Sequence, residues 1–213
     1  MAKYNFKHLF IIIIIFVFGC EKSHHTSPNI VFILTDDLAY ADLSSYGSEY
    51  ITTPNIDKMA NDGVKLTSYY AAQAVCSASR AAILTGCYPN RLGISGAFGP
   101  NSKKGINPDE LLLSEMLKNN DYKTGIFGKW HLGDAEKFMP TNHGFDEFYG
   151  ILFSNDMWPY HPEFPSAYPE DLLLYRNTEP VEALIDQSDL TKNITDESIR
   201  FIDENKDNQF FLY

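Results

Sequence analysis

Apolar runs, helical periodicities and turn signals follow one another along the chain in an order that predicts strands interleaved with helices. Residues 29–34 form an apolar, β-branched run suited to a strand buried on both faces, and Thr35-Asp36-Asp37 ends it abruptly. Thr53-Pro54 opens a helix that Gly63 closes, and residues 64–70 read as a strand. Residues 76–85 read as a helix stopped by Gly86, and residues 109–118 as an amphipathic helix burying Leu111, Leu112, Met116 and Leu117. Residues 122–127 are the next strand. Residues 157–180, rich in Pro and Tyr and without a period, read as a long irregular surface excursion. Helical spacing returns over 191–205 through Ile194, Ile199 and Ile202, and residues 210–213 are a strand-like run. The alternation predicts an α/β fold with a mostly parallel central sheet flanked by helices.

The first twenty residues stand apart. Lys3 and Lys7 precede an apolar stretch over 9–18 and then Gly19-Cys20, the layout of an export signal, and the stretch is too short for a membrane span of roughly 20 residues. Val17-Phe18-Gly19-Cys20 resembles a bacterial lipoprotein cleavage box, in which Cys20 becomes the lipidated first residue. Ordinary cleavage with Cys20 incidental is the alternative. Residues 21–28 read as a polar tether, and 29–213 as one domain segment. The expected location is therefore an exported, membrane-anchored lipoprotein of the periplasm or cell surface.

Composition narrows the function. A 213-residue chain that is 44% hydrophobic can build a packed core. A formal net charge of -11 argues against a nucleic-acid partner, because such binding needs cationic surface. Any anionic substrate must meet a local basic pocket. If Cys20 is lipidated, only Cys76 and Cys87 remain to pair, and a helix between them would hold them roughly 16 Å apart, beyond disulfide reach. A free thiol in an oxidising compartment needs a chemical reason.

Three groups offer chemistry. Asp36 and Asp37 follow a strand, where ligands gather in open α/β sheets, and make a hard oxygen site if the chain turns there; the alternative is a helix cap beside a solvated carboxylate. Cys76 opens a helix whose free N–H groups favour anions, and Arg80 follows one turn later; a small buried cysteine beside a surface arginine is the alternative. Lys129 and His131, two apart, project from one face of an extended segment, with Gly128 and Gly133 permitting close backbone approach; alone they would read as a solvated pair.

Taken together, these groups carry a resemblance. Cys76-Ser77-Ala78-Ser79-Arg80, continuing Ala81-Ala82-Ile83-Leu84-Thr85-Gly86, resembles the signature of the formylglycine-dependent sulfatases, an alkaline-phosphatase-like family. The segment from Pro28 to Asp37 resembles that family's opening strand with its metal-binding aspartates. Gly128-Lys129-Trp130-His131-Leu132-Gly133 resembles its second active-site motif, His143-Gly144-Phe145-Asp146 the continuation, and the run from Gly150 to Asp156 the arylsulfatase branch.

The resemblance implies a sulfuric ester hydrolase in which a formylglycine-generating maturation enzyme oxidises Cys76 to an aldehyde. One hydroxyl of its hydrate attacks sulfur, the alcohol leaves, and the second hydroxyl expels sulfate. It further implies that Asp36, Asp37 and modified Cys76 hold Ca2+, with Mg2+ the lesser alternative, and that Arg80, Lys129 and His131 serve catalysis. Ser154 is a candidate substrate contact, and His143 a brace for its loop.

Family members run longer, with a histidine, an Asp-Asn metal pair and a lysine expected beyond Tyr213, so this chain reads as an N-terminal portion inactive on its own. The expected substrate is a sulfated small molecule or sulfated glycan, on whose rings Trp158, Tyr160, Tyr168 and Tyr175 could stack. The competing readings are a phosphatase or phosphodiesterase of the same superfamily, and a non-catalytic glycan-binding surface protein.

Overall fold

The computed structural model describes residues 27–100, 102–165 and 167–213. The expected export segment, Cys20 and the tether through Thr26 lie outside the described residues. In chain order the elements are β1 (Ile30–Val31), α1 (Pro54–Asp62), α2 (Cys76–Thr85), α3 (Leu113–Lys118), β2 (Lys123–Lys129), β3 (Glu147–Ile151), β4 (Leu173–Arg176), β5 (Glu179–Ala183), α4 (Leu190–Asn205) and β6 (Phe210–Leu212), linked partly by 3-10 turns. The six strands form one sheet in the order β1-β6-β2-β3-β4-β5. The pairings β1–β6, β6–β2 and β2–β3 are parallel, while β3–β4 and β4–β5 are antiparallel. The expected α/β fold with a mostly parallel, helix-flanked sheet is the one the chain adopts.

Period-two alternation in β6 explains how both faces are covered. Phe210 and Phe211 point to opposite sides of the sheet. Phe210 meets Phe201 of α4 edge-on at 6.0 Å between ring centroids, and Phe201 also packs on Phe127 of β2 at 5.5 Å. Phe211 stacks instead on Phe145 at 6.1 Å, and Phe145 meets Trp130 edge-on. Each of these rings is more than nine-tenths buried, a contribution of roughly 2–3 kcal/mol apiece. This core fixes the carboxyl ends of the parallel strands, where Asp36, Lys129 and Ser154 emerge.

Several elements differ from the sequence expectation. β1 pairs for only two residues at the edge of the sheet, and Val31 (49%) and Ile33 (74%) remain exposed, so it is not buried on both faces. Residues 64–70 form no strand; Val64, Leu66, Tyr69 and Tyr70 are exposed with no sheet neighbour. The helix expected from residue 109 begins at Leu113, after a turn in which Asn107 Oδ1 accepts the Asp109 N–H, and the Glu115 carboxylate accepts the Leu112 N–H at 2.8 Å. Leu112 is buried and Leu117 partly so, whereas Leu111 and Met116 face solvent.

The irregular excursion contains the β4–β5 hairpin at its end. Asn177 takes the left-handed conformation there and clamps the turn to β3, donating to the Phe148 carbonyl at 2.8 Å and accepting from the Phe148 N–H at 3.0 Å. Strand β3 has no counterpart among the expected elements. The helices over 54–62, 76–85 and 190–205 and the final strand lie where the pattern put them.

Candidate active site

Three strand ends and one helix start converge on the site. The chain after β1 turns at Asp37, which has φ 52°, a left-handed conformation that Asp tolerates through its short polar side chain. That turn brings both carboxylates toward α2. One ligand atom each from Asp36, Asp37 and Cys76 lie within 4.8 Å of one another. Cys76 is the first residue of α2, where the leading N–H groups have no intrahelical acceptor and the helix end favours negative charge. Gly86 closes the helix in the left-handed conformation. Both Cys76 and Cys87 are free thiols.

Arg80 lies one turn into α2 and is only 5% exposed. Its Nη1 donates to the Lys129 carbonyl at 2.5 Å, and its Nη2 lies 3.4 Å from Asp36 Oδ1. Lys129, the last residue of β2, donates from Nζ to Asp36 Oδ2 at 2.7 Å and to Ser154 Oγ at 3.0 Å. Asp36 is thus held between two cations. Partial burial pushes its carboxyl pKa up, but the Lys129 and Arg80 contacts outweigh that and hold it below the usual carboxylate value. Two cations and two carboxylates balance, so a divalent ion added beside Asp36 and Asp37 would leave the site net positive and attractive to an anionic ester.

The expected pairing of Lys129 with His131 on one extended face does not occur. β2 ends at Lys129, and His131 takes φ 60°, which turns its ring into the interior. The ring is fully buried, edge-on to Phe153, and its Nε2 lies 2.7 Å from the Phe98 carbonyl. Burial drives its pKa down to about 4, with Lys129 and Arg80 adding to the fall and the Phe98 carbonyl opposing it, so the imidazole is neutral at pH 7. Gly133 does serve close approach, since a Cβ there would sit 2.8 Å from Gly105 Cα and from Phe138 Cβ.

Residues 28–213 match the sulfatase family model. The chain belongs to the sulfatase family. It is 42% identical to bovine (Bos taurus) arylsulfatase A over 166 residues, covering 76% of this chain and 33% of that protein. To an arylsulfatase of Hemicentrotus pulcherrimus it is 38% identical over 201 residues, covering 87% of this chain and 36% of the relative. Among solved structures, Ps i-CgsB in complex with k-i-k-neocarrahexaose superposes with a TM-score of 0.75 at 33% identity, over 88% of this chain and 44% of that one. The PsFucS1 sulfatase from Pseudoalteromonas sp. superposes with a TM-score of 0.76 at 29% identity, over all of this chain and 47% of that one. The chain therefore spans about a third of the arylsulfatases it matches and under half of these solved sulfatases.

Within this member of the family the other expected residues divide. Ser154 is 7% exposed and contacts Lys129, which places it in the cluster. His143 is fully buried beside Trp130, and its carbonyl accepts the Ser114 hydroxyl at 2.5 Å. Of the four aromatics, Trp158 donates to the Leu184 carbonyl and packs on Tyr160, which is local packing. Tyr168 and Tyr175 instead line a cavity of about 360 Å³ with Phe153, Asp134 and Asp171. One contact in this region carries no sequence signal at all: the Phe98 carbonyl, which meets His131 from an irregular segment.

Proposed function

We propose that this sulfatase-family chain supplies the nucleophile, the anion-binding cations and part of the metal site for hydrolysis of sulfate esters, with a sulfated glycan as substrate. The observation that carries the reading is the convergence of Cys76, Asp36 and Asp37 within 4.8 Å at the N-terminus of a helix. The donor set fits a hard divalent cation once position 76 is oxidised, because a thiol is a soft ligand whereas a formylglycine hydrate offers oxygen, and Ca2+ takes 6–8 oxygens at roughly 2.3–2.6 Å. Asp36, Asp37 and residue 76 would hold Ca2+; the rest of its shell falls to groups outside this trio. Bound there, the ion would lower the pKa of a coordinated hydroxyl and offset charge on the ester.

The chain's own residues have separable tasks. The guanidinium of Arg80 and the ammonium of Lys129 bind the ester's non-bridging oxygens and keep Asp36 ionised, as a metal ligand must be. Ser154 fixes the Lys129 ammonium, and through it the height at which the anion sits. With Nε2 of His131 on the Phe98 carbonyl, the other ring nitrogen has a free lone pair that can take a proton from a hydroxyl at position 76. Glycan as the substrate class is supported by the solved relative in complex with a neocarrahexaose and by the tyrosine-lined cavity that adjoins Phe153.

The experiment is to express a polypeptide containing residues 28–213 with a formylglycine-generating enzyme and identify the residue at position 76 by peptide mass spectrometry. An aldehyde there, with Ca2+-dependent sulfate release from sulfated oligosaccharides and none of phosphate from phosphomonoesters, supports the reading. An unmodified thiol from a competent host sinks it. Export and lipidation at Cys20 form a second part of the proposal, supported by the sequence of residues 1–20. Failure of radiolabelled palmitate to enter the expressed protein would exclude the lipid anchor.

A further inference from the structure

A buried hydrogen-bond chain joins the nucleophile's helix to the catalytic imidazole. Ser77, the residue after Cys76, is fully buried, and its Oγ accepts the Phe98 N–H at 2.9 Å. The carbonyl of the same Phe98 lies 2.7 Å from His131 Nε2. Phe98 sits in a segment without regular secondary structure, so no ladder of helix or strand bonds holds its backbone in place. Among the described residues its backbone is tied to the Ser77 hydroxyl on one side and to His131 on the other.

We propose that Ser77 is a positioning residue: through the backbone of Phe98 it holds His131 in the Nε2–H tautomer, leaving Nδ1 bare as the proton acceptor of the site. A carbonyl can only accept, so the ring nitrogen facing it must carry the hydrogen. A neutral imidazole has only one such hydrogen, and Nδ1 is then an unprotonated lone pair. Nδ1 is buried and meets no hydrogen-bond partner among the described residues, although the ring is close enough to Lys129, Arg80 and Asp36 for their charges to act on it. Buried ring nitrogens ordinarily find partners, so an acceptor left open on a ring that feels the charges of Lys129, Arg80 and Asp36 is suited to a proton that arrives with the chemistry. Because Ser77 directly follows Cys76, one helix turn sets both the nucleophile and, through Phe98, the orientation of its base.

The functional consequence rests on the sulfatase reading; the tautomer assignment does not. The test is long-range proton–nitrogen correlation NMR on the 15N-histidine-labelled chain, with His131 assigned by its loss in His131→Gln. The wild-type chain is expected to show a protonated Nε2 and a bare Nδ1. Ser77→Ala removes the tie at almost no cost in volume and should shift His131 toward mixed tautomers, while Ser77→Thr, which keeps the hydroxyl, should restore the wild-type pattern. Circular dichroism of each variant separates this effect from unfolding.

A wild-type spectrum with Nδ1 protonated, or an unchanged His131 in folded Ser77→Ala, would overturn the proposal. If Ser77→Ala unfolds, Ser77→Cys, which keeps the volume but accepts a hydrogen bond poorly, takes its place, and an unchanged His131 in that folded variant would equally overturn the proposal. In an active, matured polypeptide the same substitution should lower kcat by about tenfold or more with little change in KM. Absence of turnover alongside the expected tautomers would count against the sulfatase reading alone.

Discussion

Lys129, at the end of β2, reaches across to Asp36, beyond the end of β1, and places its ammonium 2.7 Å from the carboxylate, with only 8% of the lysine side chain exposed. The two residues are 93 positions apart in the chain, and the parallel sheet brings them together. The contact gives Asp36 a lowered pKa and, with Ser154, fixes the Lys129 ammonium beside the Asp36, Asp37 and Cys76 cluster.

Lys129→Met should therefore separate two effects. Losing one cation beside Asp36 removes a repulsion felt by a divalent ion, so Ca2+ affinity should rise by about fivefold. Turnover of a sulfate ester should fall about a hundredfold, because a preorganised charge at the anion is lost. Calorimetric titration with Ca2+ and steady-state kinetics on the matured polypeptide check both; a fall in both quantities would mean that Lys129 holds the fold rather than the anion.

Acid should loosen the fold through His131. Its pKa in the folded chain is about 4, below the ordinary 6.5, so between these values the unfolded chain binds more protons. The stability associated with the neutral ring is complete above about pH 6.5 and is lost as pH falls toward 4. Between pH 7 and pH 5 the loss is about 2 kcal/mol. Buried His143, also lowered by its burial, acts in the same direction. Urea unfolding at the two pH values should show the fall in the wild-type chain and about 2 kcal/mol less of it in His131→Gln. Equal slopes in the two proteins would contradict the assignment.

Gly150→Ala should be among the costliest single changes. Gly150 pairs with Gly128 across β2 and β3, and a Cβ at 150 would lie 1.8 Å from the Gly128 carbonyl oxygen. The nearest atoms are all Gly128 backbone, which has nothing flexible to give way, so the sheet must part at the register that carries Lys129. A loss of about 3 kcal/mol or more is expected in urea unfolding. Gly96→Ala, with nothing within 4 Å of the new methyl, should stay within about 0.5 kcal/mol and is the control.

What the chain announces and what it conceals follow physical lines. Helices α1 and α2 carry their own signals, Pro54 and Gly63 for the first and Gly86 for the second, and α4 carries a helical apolar spacing, so all three are legible locally. The strand expected over 64–70 failed because apolar content alone does not supply a neighbour to hydrogen-bond, and β3 was missed because a run buried on both faces lacks alternation. Asp36, Asp37, Cys76 and Arg80 were legible as a cluster because each occupies a signature position. The inward turn of His131 was not, since it depends on φ 60° at that residue and on a carbonyl from Phe98, thirty-three positions away.

The most direct test of the account is sulfate release from a sulfated oligosaccharide by the matured polypeptide containing this chain, compared with its Cys76→Ala and Asp37→Asn variants. The account predicts Ca2+-dependent release by the wild type, none from Cys76→Ala, and release from Asp37→Asn only at much higher Ca2+. Sulfate release that survives intact in Cys76→Ala would contradict it.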